Sequence, residues 1–320
     1  MLSRTADNLF WMARYTERAE NIARMLGVTM EASLLPQPVG RAEYGWRATL
    51  GVSQSQSQFD AEHRETSQKE ILDFMVRDPG NPSSIVSCLH KARENARAVR
   101  GVLTTEVWEA QNATWLMLQR HLESDFVSRD PGRFFEWVKY RSHLSRGVII
   151  GTMLKEESLY FIRLGTFLER ADNTARILDV KFQGMPGGSG TEAAANDSVT
   201  ADFYYWASLL RSVSGFEIYR KVYRDIITPQ RVAELLILRA DMPRSLAACM
   251  EEVVSDLALV RNSASHDTER LAGKLHSDLK FARIDEILES GLHAYLTRFL
   301  DQILALGNGI GRDFLVPPSV

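Results

Sequence analysis

The sequence predicts an all-α fold, an internally duplicated helical bundle in which two pseudo-symmetric repeats share one core. Three observations carry this. Apolar residues recur at spacings of three and four over long stretches, alternating β-branched strands are absent, and one ten-residue segment returns later in the chain. Taken in order, Leu9 to Val28, Trp46 to Phe59, Ser84 to Leu103, Arg133 to Gly151, Glu156 to Lys181, Tyr204 to Ile227, Ser245 to Asn262 and Ile284 to Leu306 carry the helical spacing. Breakers fall between these segments, at Pro36 and Pro38, Asp78 to Pro82, Asp130 to Gly132, Gly184 to Gly190, Thr228-Pro229 and Asp241 to Pro243. Asn81 is the expected N-cap of the third segment, with Pro82 at its first helical position, and Asp241 the corresponding cap of the seventh. The Gln54 to Gln58 run is low in complexity, but the aromatic positions around it place it in a helix that frays there.

The duplication rests on three collinear matches. Glu17 to Leu26 returns as Glu169 to Leu178, with seven identities in ten at an offset of 152. Trp46, with Phe59 thirteen residues later, pairs with Trp206 and Tyr219 at an offset of 160. Pro82 to Cys88 pairs with Pro243 to Cys249 at 161, which puts both cysteines at one position of the repeat. The step from 152 to 160 needs eight extra residues in the second copy, and the glycine-rich run at 184–190 lies in the required interval as an inserted loop. The repeats are placed at 1–155 and 156–320, one integrated unit without a flexible linker.

At 320 residues the chain can bury a sizeable core without staples. Apolar residues at 45% and charged residues at 25% exclude disorder, collagen-like repeats and disulfide-built scaffolds. A net charge of −3 offers no global positive field, so neither a nucleic-acid nor a membrane partner is expected. Cys88 and Cys249 are too few for a disulfide framework or a Cys-ligated zinc and read as free thiols of a reducing compartment. The start has no long apolar leader and no apolar run reaches a membrane span, so a cytoplasmic protein is expected.

At about 100° per residue, Phe10, Ala13, Glu17, Asn21, Arg24 and Val28 form one stripe. Ile162, Gly165, Glu169, Asn173, Arg176 and Val180 form its counterpart. A stripe that is apolar at both ends and polar in the middle points to a polar girdle sheltered against another helix. Ala13 and Gly165 are small enough to let two such helices approach closely. Unpaired buried charge would cost several kcal/mol, so sheltered carboxylates should meet guanidinium forks, reciprocally across the approximate two-fold. In the competing reading, Glu20 with Arg24 and Asp172 with Arg176 are exposed i,i+4 pairs worth about 0.3–0.5 kcal/mol each. The candidate network is Glu17, Arg18, Glu20, Asn21, Arg24, Glu169, Arg170, Asp172, Asn173 and Arg176. It either fixes helix register or forms a ligand or catalytic site.

Other constellations are weaker. Arg93, Arg97 and Arg100 share a helical face that could hold a phosphate or carboxylate, or simply be solvated. Arg244, near a helix start where free N–H groups favour anions, is a further anion candidate. Gly187 to Thr191 has no Lys-Ser/Thr ending and no preceding strand, so it reads as a connector. No His-Glu-x-x-His or Glu-x-x-His occurs among the seven histidines, and neither a metal nor a cofactor is expected. His143 reads as a packed or surface histidine, and the cysteines as inert core residues. With no nucleophile elbow and no catalytic-cysteine context, no enzyme class is signalled.

The opening segment from Met1 to Asn21 resembles the bacterial alpha-E family, an all-helical domain of unknown function named for its Glu-Arg motif. Ala92 to Arg97, Leu164 to Asn173, Asp179 to Lys181 and Pro243 to Leu246 extend the resemblance over nearly the whole chain. Members of that family look operon-linked to circularly permuted ATP-grasp ligases, transglutaminase-like peptidases and sometimes a proteasome-like peptidase. The resemblance therefore implies peptide synthesis, modification or turnover, and it assigns no catalytic residue. The expected function is a non-catalytic helical partner or scaffold of such a ligase, or a binder of its peptide, using the groove near the paired Glu-Arg helices. The rival is an enzyme of amide-bond chemistry, with Glu17 and Glu169 as acid and base or as ligands of an added metal.

Overall fold

A computed structural model describes residues 1–34, 41–63, 67–184 and 195–315. Its described residues form sixteen helices and no strand. The first eight are α1 (Ser3–Ser33), α2 (Arg41–Val52), α3 (Gln56–Glu62), α4 (Gln68–Val76), α5 (Ile85–Ala98), α6 (Thr105–Glu123), α7 (Phe126–Arg129) and α8 (Pro131–Thr152). The second eight are α9 (Glu157–Gln183), α10 (Ala195–Ser212), α11 (Phe216–Tyr223), α12 (Pro229–Ile237), α13 (Leu246–Val260), α14 (His266–Phe281), α15 (Ile284–Glu289) and α16 (Leu292–Phe314). Gln68, Ile85, Thr105 and Pro131 open α4, α5, α6 and α8; Pro229, Leu246, His266 and Leu292 open α12, α13, α14 and α16, each 161 residues later.

The two longest helices sit at the centre. α1 packs along α9, with α5 and α8 against its other sides, while α9 also packs against α13 and α16. Buried apolar side chains form one cluster that runs from Ala6 to Leu315. Trp206, Tyr219, Phe59, Phe74, Phe134 and Phe135 are among its largest fully buried members. Burying a side chain the size of phenylalanine contributes about 1.5–3 kcal/mol.

Helix starts and breaks differ in detail from the sequence reading. Ser84 and Ser245, not Asn81 and Asp241, cap α5 and α13. The Ser84 hydroxyl accepts from the Ser87 amide and donates to the Asp78 carbonyl, and Ser245 does the same with Ala248 and Arg239. Asn81 instead closes the preceding loop from a buried position, its Nδ2 donating to the Phe74 carbonyl and its Oδ1 accepting from the Ser83 amide. Asp241 pairs with Arg239 at the surface. The expected helices Trp46 to Phe59 and Tyr204 to Ile227 are each interrupted, at Gln54 (φ 55°) and Ser214 (φ 54°). At each break the left-handed residue and its successor bond back to the last helical carbonyls, Gln54 to Gly51 and Ser55 to Leu50, Ser214 to Arg211 and Gly215 to Leu210. This closure satisfies carbonyls that a helix end leaves open, which offsets the strain of a non-glycine residue in that conformation.

Pro36, Pro38, residues 185–190 of the glycine-rich run and the rest of the connector to Thr191 lie outside the described residues. Among the described residues no helix is long and apolar enough to cross a membrane.

Candidate functional site

α1 and α9 meet at Gly165, where a Cβ would stand 2.3 Å from the Phe10 carbonyl oxygen and 3.2 Å from the Ala13 Cβ. One turn further along each helix, this approach brings two Glu-Arg dipeptides face to face. Arg18 donates to Glu169 through Nε at 2.6 Å and Nη2 at 3.0 Å. Arg170 donates to Glu17 through Nε at 2.9 Å and Nη2 at 3.0 Å. The two pairs are crossed: each arginine grips the glutamate that precedes its counterpart, through a planar fork that matches the carboxylate.

Further side chains join, most of them from outside the two stripes. Arg14 donates to Glu169 Oε2 at 2.8 Å. Arg244, from the loop before α13, donates to Glu17 Oε1 at 2.9 Å, Asn21 Oδ1 at 2.9 Å and Glu20 Oε1 at 2.6 Å. Arg146 on α8 reaches Glu17 Oε2 at 3.0 Å and also donates to Glu20 Oε2, which accepts from the Ser142 hydroxyl at 2.7 Å as well. Arg24 grips Glu20 Oε1 through Nε and Nη2. Glu17, Glu20, Asn21, Glu169, Arg170 and Arg244 are all buried. Sequence reasoning missed Arg14, Arg146 and Ser142, and it placed Arg244 at an anion site instead of inside the network.

Asp172 and Arg176 form a fork at 2.8 and 2.9 Å, with both side chains about a fifth exposed, so the exposed-pair reading describes this end better than the Glu20 end. Asn173 is half-buried. Of the arginine stripe, Arg93 and Arg97 share Glu94, Arg93 also donates to Asn112, and Arg93 and Arg100 lie against the Trp108 ring. His143 is half-exposed and touches Arg24. Among the described residues no group of three or more His, Cys, Asp or Glu is arranged to hold a metal ion.

Burial raises Glu17, Glu20 and Glu169, and the guanidiniums outweigh it. Arg170 and Arg244 hold Glu17 below its ordinary value, and Arg244 and Arg146 hold Glu20 well below. Arg18 and Arg14 bring Glu169 down to about 2. Asp256, fully buried opposite Arg163, goes the other way: desolvation exceeds what Arg163 returns and pushes it up to about 6. The unfolded chain takes up the Glu169 proton first, so stability is lost as pH falls from about 4.5 toward 2. For Asp256 the folded chain takes up the proton first, so stability rises as pH falls from about 6 toward 4. Urea midpoints across this range should therefore peak near pH 5. Asp256→Asn should remove the rise and leave the acid loss.

Both cysteines are buried, and desolvation pushes each thiol up to about 12. A thiol of that acidity carries almost no thiolate at neutral pH. The native protein should release no colour with a disulfide reagent such as DTNB, and both thiols should titrate after unfolding in guanidinium.

A family model described as a predicted alpha-helical domain with a conserved ER motif matches residues 1–315. The chain belongs to the alpha-E family. In this alpha-E chain Glu17-Arg18 and Glu169-Arg170 are the dipeptides that make the crossed forks. It is 25% identical over 334 aligned residues to an uncharacterized protein of Mycobacterium bovis. It is likewise 25% and 24% identical to uncharacterized proteins of two strains of Mycobacterium tuberculosis. Each alignment covers 94% of this chain but only 35% of the relative's length. No solved structure matches the chain.

Proposed function

We propose that this alpha-E chain is a non-catalytic helical partner or scaffold of an ATP-grasp-type peptide ligase or transglutaminase-like system in peptide synthesis, modification or turnover. One observation supports the non-catalytic part. All six carboxylate oxygens of Glu17, Glu20 and Glu169 accept from a guanidinium or a hydroxyl. A general acid needs a raised pKa and an oxygen open to substrate, and these carboxyls have neither. The acid/base reading of Glu17 and Glu169 therefore draws no support from them. Filled forks of this kind fix helix register, which is what a rigid docking surface needs.

The partner part rests on the family resemblance. It is supported by the relatives, in which the matched region is 35% of a longer chain, so a domain of this kind operates alongside other polypeptide. A cytoplasmic location fits two free thiols. Internal duplication, with repeats at 1–155 and 156–320 around one core, is supported by the crossed forks and by the helix starts that recur 161 residues apart.

Co-purification with an ATP-grasp ligase of the kind the resemblance implies, followed by peptide ligation with and without this chain, tests the reading. Association together with altered turnover is expected. No association and unchanged turnover would overturn it.

A further inference from the structure

The Glu17–Glu20 end of the girdle holds more cation than anion: Arg24, Arg146, Arg170 and Arg244 close on two carboxylates. Arg146 has capacity to spare. Its Nη1 alone donates to Glu17, Glu20 and Ser142, which leaves the Nε–Nη2 edge without a protein partner. That edge is the one that grips a carboxylate or phosphate with two parallel bonds. The side chain is 26% exposed, and its unpartnered nitrogens are not among the buried atoms that lack partners, so solvent reaches them.

Arg24, on the other oxygen of Glu20, is committed through Nε and Nη2 and keeps Nη1 open. Its Nη2 also lies 3.1 Å from His143 Nε2, and because arginine only donates, that ring nitrogen is the acceptor and His143 is neutral there. Asn21, 2% exposed, has a buried Nδ2 with no acceptor. The cluster thus has surplus positive charge and an open fork that lack an anionic acceptor, beside one unanswered buried donor.

We propose that the solvent-facing mouth formed by Arg24, Arg146 and His143 is an oxyanion site, taking a carboxylate or phosphate group on the open edge of Arg146 and Nη1 of Arg24. It stands whether or not the chain serves a peptide ligase, because it rests on the donors alone. The nearby carboxylates also make the site selective. Glu17 and Glu20 repel an anion that does not engage the fork, so a small spherical ion gains little.

Titrating the full chain with inorganic phosphate, acetate or chloride at matched ionic strength tests this, by calorimetry and by the ring resonances of His143. Phosphate or acetate should saturate one site and shift those resonances with the same constant, and chloride should not. The tighter of the two identifies the anion class. Arg146→Lys keeps the charge and loses the fork, and should weaken binding about tenfold or more with circular dichroism unchanged. Should that variant not fold, the wild-type His143 titration decides alone. Phosphate and acetate behaving like chloride, His143 resonances that stay put at saturation, or full affinity in a folded Arg146→Lys would each overturn the site.

Discussion

Glu17→Gln is expected to destabilise the folded chain by about 3–5 kcal/mol, read as a lower urea midpoint at an unchanged slope. Glu17 is 1% exposed and accepts from three arginines, Arg170, Arg244 and Arg146. The glutamine has nearly the same volume, so no cavity forms. Its single amide oxygen cannot answer the Arg170 fork together with Arg244 and Arg146, and its NH2 faces donors. Arg170 and Arg244 are themselves buried, so the lost charge leaves cations in a site that water does not relieve. Asp172→Asn is the internal control. It removes a carboxylate that holds one arginine one helical turn away, at a fifth exposed, and should cost about 0.3–0.5 kcal/mol. A tenfold difference in effect between two residues of similar sequence context measures how unequally the two ends of the girdle are buried. Equal small losses would mean that the Glu17 end is as wet as the Asp172 end.

That inequality marks how far the residues alone lead. The repeated ten-residue segment, with Ala13 and Gly165 on its stripes, made the α1–α9 approach and the crossed Glu-Arg pairs legible, because helical periodicity fixes which side chains share a face. Arg146 and Ser142 carried no such signal. They lie more than 120 residues from Glu20, on a helix whose exposed side carries Tyr140, Leu144 and Ile150, so periodicity does not say which face meets α1. α6 and α14 escaped for a related reason. Their buried stripes include Ala110, Gln111 and Thr114 in one and Thr268 and Ala272 in the other, small or polar side chains that dilute the apolar rhythm. α4 and α12 run nine residues each, too short for a stripe to repeat; their caps, Ser67 with Glu70 and Thr228 with Pro229, are not read as helix starts from the sequence, where Thr228-Pro229 reads only as a break.

Gly165→Ala should destabilise the chain although alanine is the better helix former. The new Cβ would meet the Phe10 carbonyl oxygen at 2.3 Å, and that atom is backbone, so no rotamer change relieves it. α1 and α9 have to separate. Overpacking of this kind costs about 1–3 kcal/mol or more, against about 1 kcal/mol that alanine returns in helix propensity. The crossed forks lie one turn away on both helices, so the same separation lengthens the Arg18–Glu169 and Arg170–Glu17 bonds and the loss should sit at the upper end. Gly147→Ala on α8 reverses the sign. Nothing lies within 4 Å of a Cβ there, so only the propensity gain remains and stability should rise by about 0.5–1 kcal/mol. Thermal midpoints of the two variants, measured side by side, should move in opposite directions. If both rose, α1 and α9 would have room between them that the crossed forks do not allow, and the buried girdle would have to be abandoned together with the contact that creates it.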